Sequence, residues 1–280
     1  MNEYKKKIQK EKITIKVVQF LLVISFFSLW EILSNTNIIN SFIFSSPSRI
    51  MKTIMSLILD HKILNHLLAT TNEIIISFSI SIIISFTTAL IYYIIPIIKK
   101  ILDPFITLLN SMPKVALGPL LIIWLGANTK TIIVMSLLIS LIVTTTTIYT
   151  GFNKTDKNMI KLFKIYHASY KDYITKLIIP YSKDNIIEAL KLNSAMTLIG
   201  VIMGEFLCSK EGIGYIILYG TQIFNLSLVM SGILILLVLS GLFYLLIIYI
   251  EYLFKQKNHI KWFFFRVLTK FNTLFFYKKI

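Results

Sequence analysis

Cysteine is almost missing from this chain: one thiol, Cys208, stands in 280 residues. A lone thiol excludes a disulfide framework within the chain and cannot supply the clustered cysteines of structural zinc or iron–sulfur sites. Glycine is sparse as well, ten in all. None of it falls in a G-x-x-x-x-G-K-[ST] stretch, and no G-x-G-x-x-G follows a strand pattern, so the chain carries no recognisable nucleotide cradle and any ATP it uses is bound elsewhere. Charge is the third shortage: 15% of the residues are charged, where soluble proteins of this size have about a quarter. Acids are scarcer still, 13 against 29 lysines and arginines. His61, His66, His167 and His259 are scattered along the chain with no convincing nucleophile beside them, so catalysis and metal binding are not expected.

What is abundant is apolar: 56% of the residues are hydrophobic, and they fall in long runs. Residues 74–98 run 25 positions without a charge and residues 131–151 run 21. At 1.5 Å per residue each crosses a hydrocarbon core of about 30 Å. Residues 17–33 are apolar apart from Gln19, Glu31 and a few hydroxyls, and follow a lysine-rich start. With no small-residue cleavage site after them, they read as an uncleaved first span. Residues 104–125 carry Pro113 and Lys114 near the middle and predict a kinked or broken span. Residues 192–209 form a fifth, short run that holds one carboxylate, Glu205. The last run, residues 212–250, has 39 uncharged positions. As one helix it would be about 58 Å long, nearly twice the core, so it has to divide. The expectation is a short helix or re-entrant turn over 212–223 and a full span over 226–250. The fold class is therefore an all-α polytopic membrane bundle of six spans.

Orientation follows from the basic residues. With the N-terminus inside, the cytoplasmic pieces hold 22 of the 29 and the outside pieces five. The positive-inside rule then puts both termini and the 152–185 loop in the cytoplasm of a cell membrane. Nucleic-acid binding is a poor reading, because the positive charge is split among separated pieces. Three regions result: a basic cytoplasmic segment 1–16, a transmembrane domain 17–250 with the loop 152–185, and a tail 251–280. In that tail Trp262, Phe263, Phe264, Phe265, Phe271, Phe275 and Phe276 alternate with basic residues, a mixture that favours anchoring at lipid headgroups. Outside, Ser45, Ser46 and Pro47 precede Ile50, Ile54, Leu57 and Ile58 at helical spacing. This predicts an amphipathic helix that either packs on the bundle as a connector or offers a docking surface.

The loop 152–185 is long enough for two short helices and too short for a domain. In its middle, Leu162, Ile165, Tyr166, Tyr170, Tyr173 and Leu177 recur near helical spacing, with Pro180 as a stop. Such a stripe either lies on the inner membrane face or fits a groove in a soluble partner. Within the spans, Gly200 and Gly204 form a small-x-x-x-small pair for close helix packing. Ser194 and Thr197 either line a polar path or bond their own backbone. Glu205 and Lys114 are costly in a membrane unless they face protein or water, and are candidates for a gate or path contact.

In that loop the sequence resembles the permease subunits of type I ABC importers. Their mark is Glu-Ala-Ala, three residues, Gly, nine residues, then Ile, any residue, Leu and Pro. Here Pro180 takes the final place, Ile179 and Leu177 those of Leu and Ile, His167 that of Gly, and Lys161, Leu162 and Phe163 those of Glu-Ala-Ala. The spacing fits while the starting letters differ. Asp103-Pro104 and the stretch from Met112 to Lys130 look like the segment that the nitrate, sulfonate, taurine and bicarbonate branch carries before its fourth span. Glu205 followed by Glu211-Gly212-Ile213-Gly214-Tyr215 is similar to the end of that branch's fifth span. The resemblance covers roughly residues 71–251.

The resemblance implies a transport subunit without its own nucleotide site. Two permease copies, usually identical, would enclose a path for a small polar or anionic solute such as a sulfonate, nitrate, bicarbonate, taurine or pyrimidine vitamin precursor. An external binding protein or lipoprotein would deliver that solute. Two ATPase subunits, holding ATP and Mg, would dock on the cytoplasmic loops at Tyr166, His167, Ala168, Ser169, Tyr170 and Lys171, with Pro180 closing the element. Ser194, Thr197, Glu205 and Lys114 are the path or gate candidates. An ATP-independent carrier or channel, or a scaffold that recruits a cytoplasmic protein, are the alternatives. The first predicts paired ionisable groups at midplane and repeated broken helices, which are not evident; the second leaves the broken third span and the split last run unexplained.

Overall fold

The computed structural model describes residues 2–36, 38–60 and 62–276, with side chains described from 10 to 253 apart from 12, 37, 41, 61 and 62. Among the described residues every regular element is helical. Five helices among the described residues are long and apolar enough to cross a membrane: Ile13–Asn35, Ile63–Ile94, Thr129–Asn153, Lys183–Cys208 and Leu226–Leu253. A sixth crossing is met only by a pair, Pro96–Ser111 with Lys114–Leu125, bent by 89°. A break therefore falls in the run expected to kink or break, but the bent pair starts at Pro96, and by length and composition it is either a broken span or a re-entrant loop. Pro104 lies inside the first half, and the break falls at Met112 and Pro113.

The chain divides into two compact units, Met1–Thr70 with Ser209–Leu236, and Thr71–Cys208 with Leu237–Ile280. The first contains α1 (Asn2–Asn35), α2 (Ser41–Phe44), α3 (Pro47–Leu59), the start of α4 (Lys62–Ile94), α12 (Ile213–Gln222) and the start of α13 (Leu226–Phe276). Helix α3 is the amphipathic helix expected outside. Pro47 opens it, the Ser46 hydroxyl accepts the Arg49 amide, and Ile50 is buried. Glu31 of α1, an exception within an apolar run, accepts the Ser48 amide at 3.0 Å and the Ser48 hydroxyl at 2.7 Å. A carboxylate there satisfies a free amide of the first turn and complements the helix dipole. On the other side, the Ser231 hydroxyl donates to the Ile50 carbonyl and Ser45 pairs with Ser227. These bonds seat α3 on α1 and α13, which is the connector role.

The last apolar run divides where length arithmetic placed the division, and hydrogen bonds show why. The amides of Gly212 and Ile213, which open α12, donate to His66 Nδ1 at 3.0 Å and Thr70 Oγ1 at 2.8 Å on α4. Helix α12 closes on a left-handed Phe224, with the Asn225 amide on the Gly220 carbonyl and the Phe224 amide on the Thr221 carbonyl. Asn225 then caps α13 through the Leu228 amide. A helix that ends and restarts inside an apolar run needs its free amides and carbonyls met in this way. Beyond Ile250 the backbone of α13 continues to Phe276. The side chains of the aromatic and basic tail, and residues 277–280, lie outside the described residues, as do the side chains of residues 1–9.

The second unit is built on a seam between α4, α7 (Thr129–Asn153) and α11 (Lys183–Cys208). Gly200 and Gly204 of α11 lie against Ser136 and Ile132 of α7. A Cβ on Gly200 would meet the Ser136 Cα, and one on Gly204 would sit 2.8 Å from the Ile132 Cα. Only glycine permits that approach, and it is the packing that the small-x-x-x-small pair predicts. Further along, Asn193 Oδ1 accepts the hydroxyls of Ser81 at 2.8 Å and Thr144 at 3.0 Å, while its amide donates to the Phe78 carbonyl. Ser81 also pairs with Ser140. Hydrocarbon offers no alternative partners, so each polar group held here fixes helix rotation as well as contact.

Candidate functional site

The loop after α7 is held close beneath the spans. Helix α8 (Lys157–Ile165) starts on an Asp156 cap, whose side chain accepts the Asn158 amide at 2.8 Å. It ends in a Schellman turn: the Ala168 amide reaches the Phe163 carbonyl at 3.1 Å and the His167 amide the Lys164 carbonyl at 3.0 Å. His167 occupies the left-handed position of this turn, with φ of 49°. Glycine takes that position most easily, and a residue with a Cβ costs about 1 kcal/mol there. Where the family pattern has Gly, the backbone has the conformation for which Gly is suited.

The single stripe expected from Leu162 to Leu177 is thereby corrected. The turn breaks the helix, so the apolar positions separate into two sets. Leu162, Ile165, Tyr166 and Tyr170 are exposed, Tyr166 by 76%, while Leu177 is buried and Tyr173 half-buried. Ser169 caps the next helix, α9 (Tyr170–Asp172), by accepting the Asp172 amide and donating its hydroxyl to Asp172 Oδ2 at 2.8 Å. Lys176 pairs with the other oxygen at 2.6 Å. Hydrogen bonds from Lys176 and Ser169 hold the Asp172 carboxyl below its ordinary range, so its pairing with Lys176 is intact at neutral pH and is lost on acidification.

Pro180 does not act as the expected stop. From Tyr173 to Ile178 the helix is wound in π register, and the Ile179 amide still reaches back five residues to the Ile174 carbonyl. By Ser182 the amide bonds the Ile178 carbonyl, four residues back. Between them stand Pro180, which has no amide to misplace, and Tyr181, both within α10 (Ile179–Tyr181). The proline lets the register change without stranding its own donor, and the chain runs on into α11.

This element is tied to the spans. Tyr173 shares a 2.6 Å hydrogen bond with Tyr93 in the last turn of α4, with the two rings stacked. Tyr93 also meets Phe152 edge-on, and Ile174, Leu177 and Ile178 are buried with Ala89, Ile148, Phe152 and Ala189. A rigid apolar anchor therefore carries an exposed aromatic tip.

A sequence model of the family described as binding-protein-dependent transport system inner membrane component matches residues 81–259, well over half of the chain and including this whole loop. The chain belongs to that family. It is an ABC importer permease of the type I fold, a multi-pass membrane protein and a transport component. The permease is similar to a probable ABC transporter permease protein of Haemophilus influenzae, 24% identical over 81% of this chain and 92% of the relative. It also matches a putative aliphatic sulfonates transport permease protein SsuC of Bacillus subtilis, 22% identical over 77% and 78% of the two chains. A third relative is the formylaminopyrimidine transport permease protein ThiX of Halalkalibacterium halodurans, 24% identical over 67% and 74%.

Of the permease's expected contact residues, Tyr166, His167, Ser169, Tyr170 and Lys171 are brought together at the exposed tip. Ala168 is half-buried and lines a cleft on the membrane side of the turn. Pro180 is exposed but belongs to the following helix. The path candidates are dispersed. Ser194 is buried and its hydroxyl donates to the Lys191 carbonyl at 2.7 Å, the backbone-bonding alternative. Thr197 is fully buried, and its carbonyl accepts the Ser136 hydroxyl. Glu205 is 0% exposed, inside the second unit next to the Gly204 contact with α7. These three pack between helices of one chain, so in this conformation they do not line an open surface. Lys114 alone is partly accessible, at the start of the turn that breaks the third span, 3.5 Å from Asn110 Oδ1.

Sequence reasoning missed two groups. Asn193 lies inside the 192–209 run and was not singled out, because its bonds to Ser81 and Thr144 depend on helix rotation. Glu73 was left outside a span drawn from residue 74, yet it lies within α4 and is 5% exposed.

Proposed function

We propose that this permease works as the membrane half of an ATP-driven importer, with the exposed tip around Tyr166 seated in a groove of a separate ATPase subunit. The observation that carries this reading is the turn itself. It exposes Ile165, Tyr166 and Tyr170 next to a left-handed His167 at the family's glycine position, on an anchor packed against α4, α7 and α11. Large apolar side chains outside the bilayer are stabilised by a partner's groove, and a tip that short fits one. The 22-to-5 distribution of basic residues supports putting this loop and both termini on the cytoplasmic side, where ATP is available.

In this mechanism two permease copies, identical in the simplest assembly, enclose the path. Two ATPase subunits bind ATP and Mg between themselves and close on hydrolysable nucleotide. Closure draws the two tips together, and the buried anchor passes that displacement to α4, α7 and α11 as rigid bodies. An external binding protein or lipoprotein delivers the solute to the open outer face. Relatives named for aliphatic sulfonates and for formylaminopyrimidine support a small polar or anionic organic solute. The positive charge of the permease does not select an anion, since most of it lies in the cytoplasmic pieces.

The test is a charge placed on the tip. Tyr166→Asp is expected to leave membrane insertion and folding unchanged and to lower solute-stimulated ATP hydrolysis and uptake at least tenfold. Normal uptake by a well-inserted Tyr166→Asp permease contradicts the docking assignment.

A further inference from the structure

Between the loop and the span ends lies a cavity of about 550 Å³, the size of a small-molecule site. One wall comes from the last turns of two spans, Tyr93 on α4 and Tyr149 and Asn153 on α7, with Pro96 at the start of α5 (Pro96–Ser111). The opposite wall is the loop, with Lys164 of α8 and Tyr170. No carboxylate lines it among the described residues. Lys99, one turn into α5, sits 5.1 Å over the Tyr149 ring and is paired with Asp103 at 2.7 Å, so Lys164 is the cation that lines the cavity.

The position of these residues limits what can occupy the cavity. Tyr93, Tyr149 and Asn153 end their spans, so the cavity opens at the depth of the headgroups, not in the hydrocarbon and not out in bulk water. The loop carries seven lysines against three aspartates between residues 152 and 185, which draws the loop toward an anionic leaflet. Past the lining residue Pro96, Ile97 and Ile101 are 64% and 60% exposed and stand one turn apart on α5. A pocket between span ends with one lysine, no lining carboxylate, phenolic donors and exposed apolar side chains nearby suits an amphiphile whose head is a phosphate.

We infer that this cavity holds the phosphate headgroup of an anionic phospholipid of the inner leaflet. Lys164 supplies the charge, tyrosine hydroxyls and Asn153 supply neutral donors, and an acyl chain lies along Ile97 and Ile101. The lipid then touches both the spans and the coupling loop, so the lipid surroundings bias how firmly the loop is held. The inference takes the loop's cytoplasmic side from the proposed function. Its test reads lipid alone, without ATPase or solute, so either can fail separately.

The experiment is native mass spectrometry of the full-length permease purified in mild detergent, with phosphatidylglycerol or phosphatidylcholine added. Wild type is expected to retain one phosphatidylglycerol per chain in preference to phosphatidylcholine. Retention should fall about fivefold in Lys164→Ala, the worth of one lysine at an anionic surface. It should return in Lys164→Arg and be unchanged in Lys157→Ala, on the same helix outside the cavity. Thermal melting of each variant checks that the fold is kept, and Lys164→Gln replaces the alanine variant if it is not. Equal retention in wild type and the neutral variant, or equal retention of the two lipids, overturns the inference. Displacement of the bound lipid by millimolar inorganic phosphate also overturns it, in favour of a soluble phosphate site.

Discussion

The seam between α4, α7 and α11 and the loop beneath it solve opposite problems with the same chain. In the seam, small and polar residues are hidden: Gly200 and Gly204 meet α7 backbone, and Asn193 makes three hydrogen bonds to two neighbouring helices. In the loop, large apolar residues are shown: Ile165 and Tyr166 are 71% and 76% exposed. Lipid reverses the usual sorting. Inside a bilayer the apolar effect does not drive helices together, so close backbone approach and satisfied polar groups specify the bundle. Beyond the bilayer, water restores the usual penalty, so exposed aromatic side chains are those whose burial against a partner would be favourable. A rigid seam and a waiting tip are what a device needs if it is to carry a partner's movement into the membrane.

The sharpest way to break the comparison is at the seam. Gly200→Val sets a branched side chain against Ser136 backbone that cannot yield, and should remove nearly all folded permease from the membrane, read by fluorescence-detected chromatography. Asn193→Leu comes next. It removes three interhelical bonds worth about 2–4 kcal/mol together, and should lower the thermal midpoint markedly while leaving the tip intact.

The link between the two regions should respond more weakly. Tyr93→Phe deletes the 2.6 Å bond to Tyr173 but keeps the ring contacts. Folding should be nearly normal, while the ratio of uptake to ATP hydrolysed falls several-fold because the tip is less firmly tied to α4. An unchanged ratio would show that the buried apolar anchor suffices. The smallest effect is expected at the tip's turn. His167→Gly relieves a left-handed residue and should stabilise the turn by about 1 kcal/mol, with transport retained, read as slower amide exchange at Ala168.

Much of this was legible in the residues because length in a membrane is a hard constraint. The 39-residue uncharged run could not be one span, and Asn225, a helix-capping residue within it, stands at the division. Pro113 similarly marks the break in the third span. The family spacing set His167 where glycine was expected, and the backbone turns left-handed there. What was not legible depends on helix rotation and on local capping. Serines and threonines in an apolar run read as self-bonding, and nothing in the spacing says that Ser81, Ser140 and Thr144 turn toward Asn193. The near-helical period from Leu162 to Leu177 ran straight through the turn, hiding a break that is made by backbone bonds. For the same reason Pro180 was taken for a stop, when a π-wound turn had already prepared a place for it. Glu205 was legible as a carboxylate that must face protein or water, but Glu73, also buried, was excluded by drawing the span to avoid a charge.

The most direct test of the central claim is to purify the tagged permease in mild detergent from its native host and identify and count what accompanies it. The account predicts a P-loop ATPase at one copy per permease, retained by wild type and lost from Tyr166→Asp. A permease that comes out without an ATPase, and that moves solute into vesicles without ATP, would contradict it.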